Sequence, residues 1–530
     1  MAARLLDART GVDPLSPWAE EVIVPSRGMA EAIAAEVLAR APHGVAGLRL
    51  QTLEELAQRL LTGAGQTPRV ASDIERRLAM RTAVRTVEHP MMESRGVASM
   101  LERAYRDVSD SGVPLQRLEG QRRGLVPPLL RAWQEYERLI AQLNAIDAAD
   151  RLALATRLAS KARPQIVAGF YDMTGAQLQL TTALLRAERV GALWVPTEAP
   201  FAQPFVRAIT PFAEIVRDPV IEIRKPQLEA RQYETRAAEL RDVCASVAEL
   251  LANGVAPRDI GIVARSLEPY DARLLNRFAA EHGFATTLQE EIPLAAHRIG
   301  RGALMLLRLR ERGFPRAEVL ELVRDGLQVK TRLDVDATDA ATRRARIAGG
   351  TSEELRTMRN KSRPIDDYLA LVSELEQLTA NVELEKLGSL FRVETEADLV
   401  AVSKLDAIAA VFRRAAVWNR GVDVNAITDA IEQETLKKEG SGEIWAGELL
   451  RFRGRSFRHL FVVRMQDDVL PQRRTEDPLL PDADRRALGI REIGDGREEE
   501  ALLFSLLGDA APHVVFSYAS GDGFGKVLRP

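Results

Sequence analysis

Arginine carries most of the chemistry this sequence offers. Arg451, Arg453, Arg455 and Arg458 crowd into one short run, and Arg473 and Arg474 follow as a pair. Each could neutralise a backbone phosphate, and every phosphate neutralised adds salt-dependent affinity for nucleic acid. The competing reading of Arg473 and Arg474 is a solvated loop paired with Glu476 and Asp477. Ser26 and Arg27 follow an apolar run at residues 21–25 and precede a helical pattern. A helix N-terminus favours anions, so phosphate contact competes there with a plain N-cap beside a solvated arginine. Arg265 ends a second apolar run, residues 260–263, where an ion pair is the simpler role. Asp172 and Gln177 follow a third, residues 165–169. The arginines at 343, 344 and 346 read as an exposed helix face.

Other chemistries are excluded by what the chain lacks. The first lysine is Lys161, and no later lysine follows the GxxxxG spacing of a phosphate-binding loop. One cysteine, Cys244, rules out a disulfide framework, a cysteine zinc site and a four-cysteine iron–sulfur cluster. Cys244 falls on an apolar helix face and reads as core. None of the six histidines has a partner four residues away, so no helical metal pair is expected. Trp445 could stack on a base, although packing in the core is the simpler role. No apolar stretch approaches the ~20 residues of a membrane span, and the amino terminus has no charged-then-apolar signal pattern. A reducing, cytoplasmic setting fits. The net charge of −3 gives no global basic field.

The 530 residues exceed what one core organises, so several subdomains are expected. Short apolar runs at residues 21–25, 48–51, 165–169, 192–196, 220–223, 260–263, 458–463 and 514–518 read as buried strands. Helical patterns separate them at residues 29–40, 53–61, 176–186, 236–251, 270–282 and 497–507. Strands alternating with helices imply a parallel sheet with crossover connections. Residues 73–160 and 300–424 are helical throughout, with a helix opened by Pro127-Pro128 in the first. The expected fold class is α/β, with two tandem parallel-sheet domains that resemble RecA-like domains, each carrying a helical insertion. Residues 1–72 and 161–228 form the first domain, with 73–160 inserted; residues 229–299 and 425–530 form the second, with 300–424 inserted. The boundary falls at Lys225-Pro226.

That layout resembles the superfamily 1 DNA helicases, and it is most similar to the AddB-type subunit of bacterial ATP-dependent helicase–nucleases. The resemblance covers almost the whole chain. It is sharpest in Arg453-Gly454 with Phe457, in VLPQR at residues 469–473 and in EDPLLPDADRRALG at residues 476–489. Residues 24–27 resemble the family's first DNA-contacting motif, residues 50–61 the segment after it, and residues 260–270 the fourth helicase motif. Active members need a phosphate-loop lysine, a magnesium-binding aspartate, a water-orienting glutamate and arginine fingers. Matched on Asp172 and Gln177, the two acids fall on Ala168 and Gly169, and the final arginine falls on Asp509. Of the arginine pair only Arg265 is present. The resemblance therefore implies a helicase fold without ATPase chemistry, binding no cofactor, with Asp172, Gln177 and Arg265 as vestiges.

Its implied DNA-binding residues are Ser26, Arg27, Arg453, Arg455, Arg473 and Arg474, and its implied partners are single-stranded DNA and an AddA-like helicase–nuclease subunit. An active ATP-dependent helicase or exonuclease subunit, using ATP and magnesium, is the enzyme alternative; a purely structural, protein-binding remnant is the third. Relatives continue into a PD-(D/E)XK nuclease. The nearest approach here, Asp218 with Glu222 and Arg224, has arginine where lysine is needed. The chain ends at Pro530, about where such relatives pass toward the nuclease, as a gene fragment, a split subunit or a genuinely short protein would.

Overall fold

In the computed structural model of the chain, the residues described are 5–6, 16, 18–41, 45–94, 96–118, 126–195, 200–212, 215–217, 226–357, 362–380, 383–418, 423–467, 469–508 and 510–521. They form a mixed α/β fold with two five-stranded parallel sheets and many helices. Two compact units result: Met1–Ser72 with Ala79–Glu290 and Glu439–Pro530, and Asp73–Leu78 with Glu291–Lys438. Both five-stranded sheets lie in the first unit.

The first sheet comprises β1 (Glu21–Ile23), β2 (Leu50–Gln51), β3 (Gln165–Ala168), β4 (Val190–Val195) and β5 (Ile215–Arg217), in the order β2-β1-β3-β4-β5. Its short strands are apolar on both faces because helices cover both. Val22, Val24, Ile166 and Ala168 pack towards α1 (Arg27–Arg40). Ile23, Val167 and Leu193 pack towards α2 (Leu53–Gly63) and α3 (Gly175–Arg186). Thr52 and Glu55 close a capping box on α2, as their spacing predicts.

The second sheet comprises β6 (Gln227–Tyr233), β7 (Ile260–Ala264), β8 (Trp445–Glu448), β9 (His459–Val463) and β10 (His513–Ala519), in the order β8-β7-β9-β10-β6. Alternate residues of β9 divide between two cores. Phe461 and Val463 meet α4 (Arg236–Ala252) and α5 (Pro269–Glu281), where Cys244 is also buried. Leu460 and Val462 meet Leu502, Leu503 and Leu507 of α6 (Gly496–Gly508).

Within the region expected to be helical, Val97–Asp110 and Val126–Gln142 pack through Tyr105 and Tyr136, edge to face at 4.7 Å. The second unit is chiefly helical, with Tyr368 and Phe391 in its core and a small sheet of Glu290–Pro293 with Thr435–Lys438. Arg343 and Arg344 are exposed at the end of Val335–Arg344, as expected. No helix among the described residues is long and apolar enough to cross a membrane.

Three strands of the five-stranded sheets were not expected, β5, β6 and β8, nor were the two-stranded sheets, one of which pairs Arg69–Val70 with Ala145–Ile146, the latter inside the stretch expected to be helical throughout. β6 carries a polar, exposed pattern, and β8 is broken by Gly447. Neither offers a continuous apolar run. The second α/β segment thus starts at Gln227, a little before the expected position near residue 230. The expected strand at residues 220–223 and the boundary residue Lys225 lie outside the described residues.

A buried polar knot ties the second sheet to its helices. Arg464, immediately after β9, has φ +61° and is 2% exposed. A left-handed arginine costs about 1–2 kcal/mol. Its guanidinium faces the buried Asp271 at 2.9 Å and Glu268 at 3.0 Å. Its N–H donates to Glu239 Oε1 at 2.8 Å, and Ser517 Oγ donates to the same oxygen at 2.7 Å.

Replacing Arg464 by leucine leaves the buried Asp271 with only the more distant Arg236, at 3.7 Å. Arg464→Leu should therefore lower stability by about 3–5 kcal/mol, read from urea denaturation. Burial holds the Glu239 carboxyl above its ordinary value of 4.5, outweighing the hydrogen bonds from Arg464 and Ser517. The folded state keeps this proton where the unfolded chain has lost it, so the carboxyl's contribution to stability falls as pH rises from 4.5 through the raised value. Glu239→Gln removes that dependence. Its urea midpoint should gain on wild type between acidic and neutral pH, and a constant difference would refute the linkage.

Candidate functional site

The carboxyl ends of β1 and β3 meet two segments of the second α/β part, within the same compact unit. β1 runs through Val24-Pro25 into Ser26, whose Oγ accepts the Met29 N–H and caps α1. Arg27 points outward and pairs with Glu55 at 2.7 Å. Residues 451–455 lie against this turn. A Cβ on Gly28 would sit 3.6 Å from the Arg451 carbonyl oxygen, and Gly454 packs on Met29. Arg455 Nη2 donates to the Gly28 carbonyl at 3.4 Å, with its guanidinium 5.1 Å from the Trp445 ring centre.

β3 ends at Ala168, fully buried, and Gly169 follows with φ +81°. A Cβ at Gly169 would collide with the Met29 side chain. The chain continues through buried Phe170 and Tyr171 to Asp172. The Asp172 carboxylate is gripped by Arg491 at 2.5 Å, whose guanidinium lies 4.2 Å from the centre of the Phe201 ring. Phe201 in turn meets Tyr171 edge on at 5.8 Å, and Arg453 covers the Tyr171 ring at 4.5 Å. Arginine–aromatic contacts of this kind gain strength where water is excluded. Gln177 completes a capping box with Thr174 at the start of α3 and donates to Glu54 at 2.9 Å.

α6 links the two parts. Arg265, at the end of β7, makes a two-pronged contact with buried Glu500, with its closest approach 2.7 Å, and its Nη2 donates to Gln472 Oε1 at 3.1 Å. The neighbouring Glu499 takes Arg474 at 2.9 Å and Arg491 at 3.7 Å. Arg473 pairs with Asp467 at 2.8 Å. The acids expected beside it serve the backbone instead: Glu476 accepts the Asp482 N–H and Asp477 the Leu479 N–H.

The predicted arginines therefore divide. Arg27, Arg265, Arg473 and Arg474 each have a carboxylate partner. Arg453 and Arg455 make no ion pair among the described residues, and the Nε of each is buried without a hydrogen-bond partner. Burial lowers the Arg455 pKa, with Glu31 opposing weakly. Trp445 is core, against Phe452 and Phe457 at 5.7 and 5.8 Å. Asp509, Asp218, Glu222 and Arg224 lie outside the described residues. Arg491, Glu499, Glu500 and Arg464 escaped the sequence reading. The acidic run Glu498-Glu499-Glu500 near the start of a helix was the available signal.

The chain is thus an α/β protein whose parallel-sheet ends meet around arginine, aromatic and carboxylate side chains. The B-type subunit of the ATP-dependent helicase/deoxyribonuclease of Clostridium botulinum strain Hall is 30% identical over 95 residues. That stretch is 17% of this chain and 8% of the relative. The proteins of the same name from strains Langeland and Okra match to the same extent. The matched stretch is therefore a small part of those curated relatives. No family model matches the chain.

Removal from water and the nearby Glu499 hold the Asp172 carboxyl above the ordinary aspartate value, against the pull of Arg491. Arg491→Gln takes away the main opposing charge. Carboxyl-carbon titration should show the Asp172 pKa higher in that variant than in wild type; an unchanged value would mean the pair does not form in solution.

Proposed function

We propose that this chain is an AddB-like, DNA-binding scaffold subunit of a helicase–nuclease complex acting in double-strand break repair. On this reading its two sheets are RecA-like, it hydrolyses no ATP itself, and the motor and nuclease are supplied by an AddA-like partner. The partial similarity to the B-type subunits of helicase/deoxyribonucleases supports the assignment.

The observation that carries the DNA-binding part is the imbalance of charge beside α1. Arg453 and Arg455 lack carboxylate partners among the described residues and adjoin the capped turn at Ser26–Gly28. Desolvated cations without a counter-charge favour an anion, and a helix N-terminus beside them favours one as well. A backbone phosphate meets both demands.

The residues do not fit a magnesium–nucleotide. Position 168 is a buried alanine, and a side chain at position 169 would sit on a backbone at φ +81° and have to displace the end of Met29. Asp172 is already held by Arg491, Glu55 pairs with Arg27, and Arg265 is spent on Glu500. Among the described residues no group of three His, Cys, Asp or Glu side chains could hold a metal ion.

Fluorescence anisotropy with a labelled single-stranded oligonucleotide tests the reading. Binding should weaken as salt rises, and Arg453→Gln/Arg455→Gln should reduce the log–log salt slope by about 1.4, at roughly 0.7 for each phosphate left without its arginine. Arg473→Gln, which removes a cation already neutralised by Asp467, should leave the slope near wild type. Calorimetric titration with ATP should give no heat. An unchanged slope in the double variant would defeat the DNA interface; ATP turnover lost on Arg265→Ala would defeat the scaffold reading and favour the active enzyme.

A further inference from the structure

β6 is the outer strand of the second sheet, hydrogen-bonded on one side to β10 through seven consecutive register pairs, Gln227–His513 to Tyr233–Ala519. The Gln227 N–H donates to the Pro512 carbonyl at 2.8 Å, and the Tyr233 carbonyl accepts the Ser520 N–H at 2.8 Å. A strand residue sends its N–H and C=O to the same side, and the side alternates along the chain. Gln227, Glu229, Arg231 and Tyr233 therefore face β10. Leu228, Ala230 and Gln232 turn their backbone groups to the open edge, where none has a partner among the described residues. Leu228 is 58% exposed. Edges this regular are usually blunted by proline, lysine or a bulge, and QLEARQY contains no proline or lysine and keeps its register throughout.

The strand is complementary to itself. Placed antiparallel to a second copy about a two-fold axis at Ala230, it sets Glu229 opposite Arg231 on both sides of the axis. Leu228 then faces Gln232, and Gln227 faces Tyr233. Because Ala230 points its backbone outward, it forms the hydrogen-bonded pair with its own symmetry mate. Glu229 and Arg231 consequently fall on the neighbouring pairs, where side chains approach most closely. Arg231 lies between Glu229 at 2.7 Å and Asp242 at 3.2 Å of its own chain, so the cross-axis contact would enlarge an ion-pair cluster already present at this edge. On the opposite face, Ala230 registers with Phe516, which stacks on the 48%-exposed Phe504 at 5.7 Å. Apolar surface thus borders the open edge.

We propose that β6 is a self-association edge, on which a second copy of this chain pairs antiparallel and joins two sheets into one. A two-fold arrangement is the commonest closed symmetry and uses the same patch on both copies.

Sedimentation equilibrium of the full chain tests this, independently of any DNA binding. Wild type should show twice the 58.6 kDa chain mass at micromolar concentration and dissociate on dilution. Ala230→Pro removes an N–H that β10 does not use, so it should give a monomer with an unchanged melting temperature. Glu229→Arg sets like charges across the axis and should raise the dimer dissociation constant about tenfold or more. Glu229→Arg/Arg231→Glu restores opposite charges and should recover the wild-type constant. A wild-type monomer at every concentration overturns the proposal and leaves the edge to a strand of another chain. A dimer indifferent to Ala230→Pro, or one the exchanged pair does not rescue, also overturns it.

Discussion

A charge taken out of water has to be answered by an opposite charge, and this requirement orders the ends of both parallel sheets. Glu499 and Glu500 stand side by side on α6. Glu500 receives Arg265 from the end of β7, while Glu499 draws in Arg474 and Arg491. Arg491 carries the connection across to Asp172 at the end of β3. Breaking such a pair costs far more than its net contribution to stability, because the survivor is left buried and alone. One turn of helix therefore holds the loops after three strands in register with one another.

Against that background the unanswered charges acquire meaning. Arg453 and Arg455 rest on aromatic rings, which supply part of what a carboxylate would but leave the formal charge in place. Arg473 and Arg27 instead each face a carboxylate in an exposed pair, which contributes little to stability. Arginines of the same sequence cluster thus differ in electrostatic availability, and the difference lies in what each finds within a few ångströms.

Much of the fold was legible because parallel strands buried on both faces leave continuous apolar runs. Residues 260–263 and 458–463 name β7 and β9 almost to the residue. Gly254 and Gly283, both at positive φ, mark the ends of α4 and α5 as their positions suggest. β6 was not legible, because a polar edge strand owes its existence to β10 and not to its own pattern. The same limit governed the site. Arg265, Asp172 and Arg453 stand out by spacing, yet their partners lie far off in sequence: Glu500 is 235 residues from Arg265, and Arg491 is 319 from Asp172. Arg464 was hidden differently. It sits in the best-marked stretch of the chain, but nothing in sequence distinguishes an arginine that turns inward on a left-handed backbone from one that points to solvent.

Gly169 carries a consequence for how this protein can change over time. Its backbone conformation penalises any side chain, and the space where a Cβ would go is filled by Met29. Met29 in turn supports Gly454, which has its own positive φ. A side chain added at Gly169 or at Gly454 meets Met29. Position 169 is thus tied in sequence space to a residue 140 positions earlier in the chain: a carboxylate there has to displace the end of the Met29 side chain, and a change at Met29 alters what position 169 can accept.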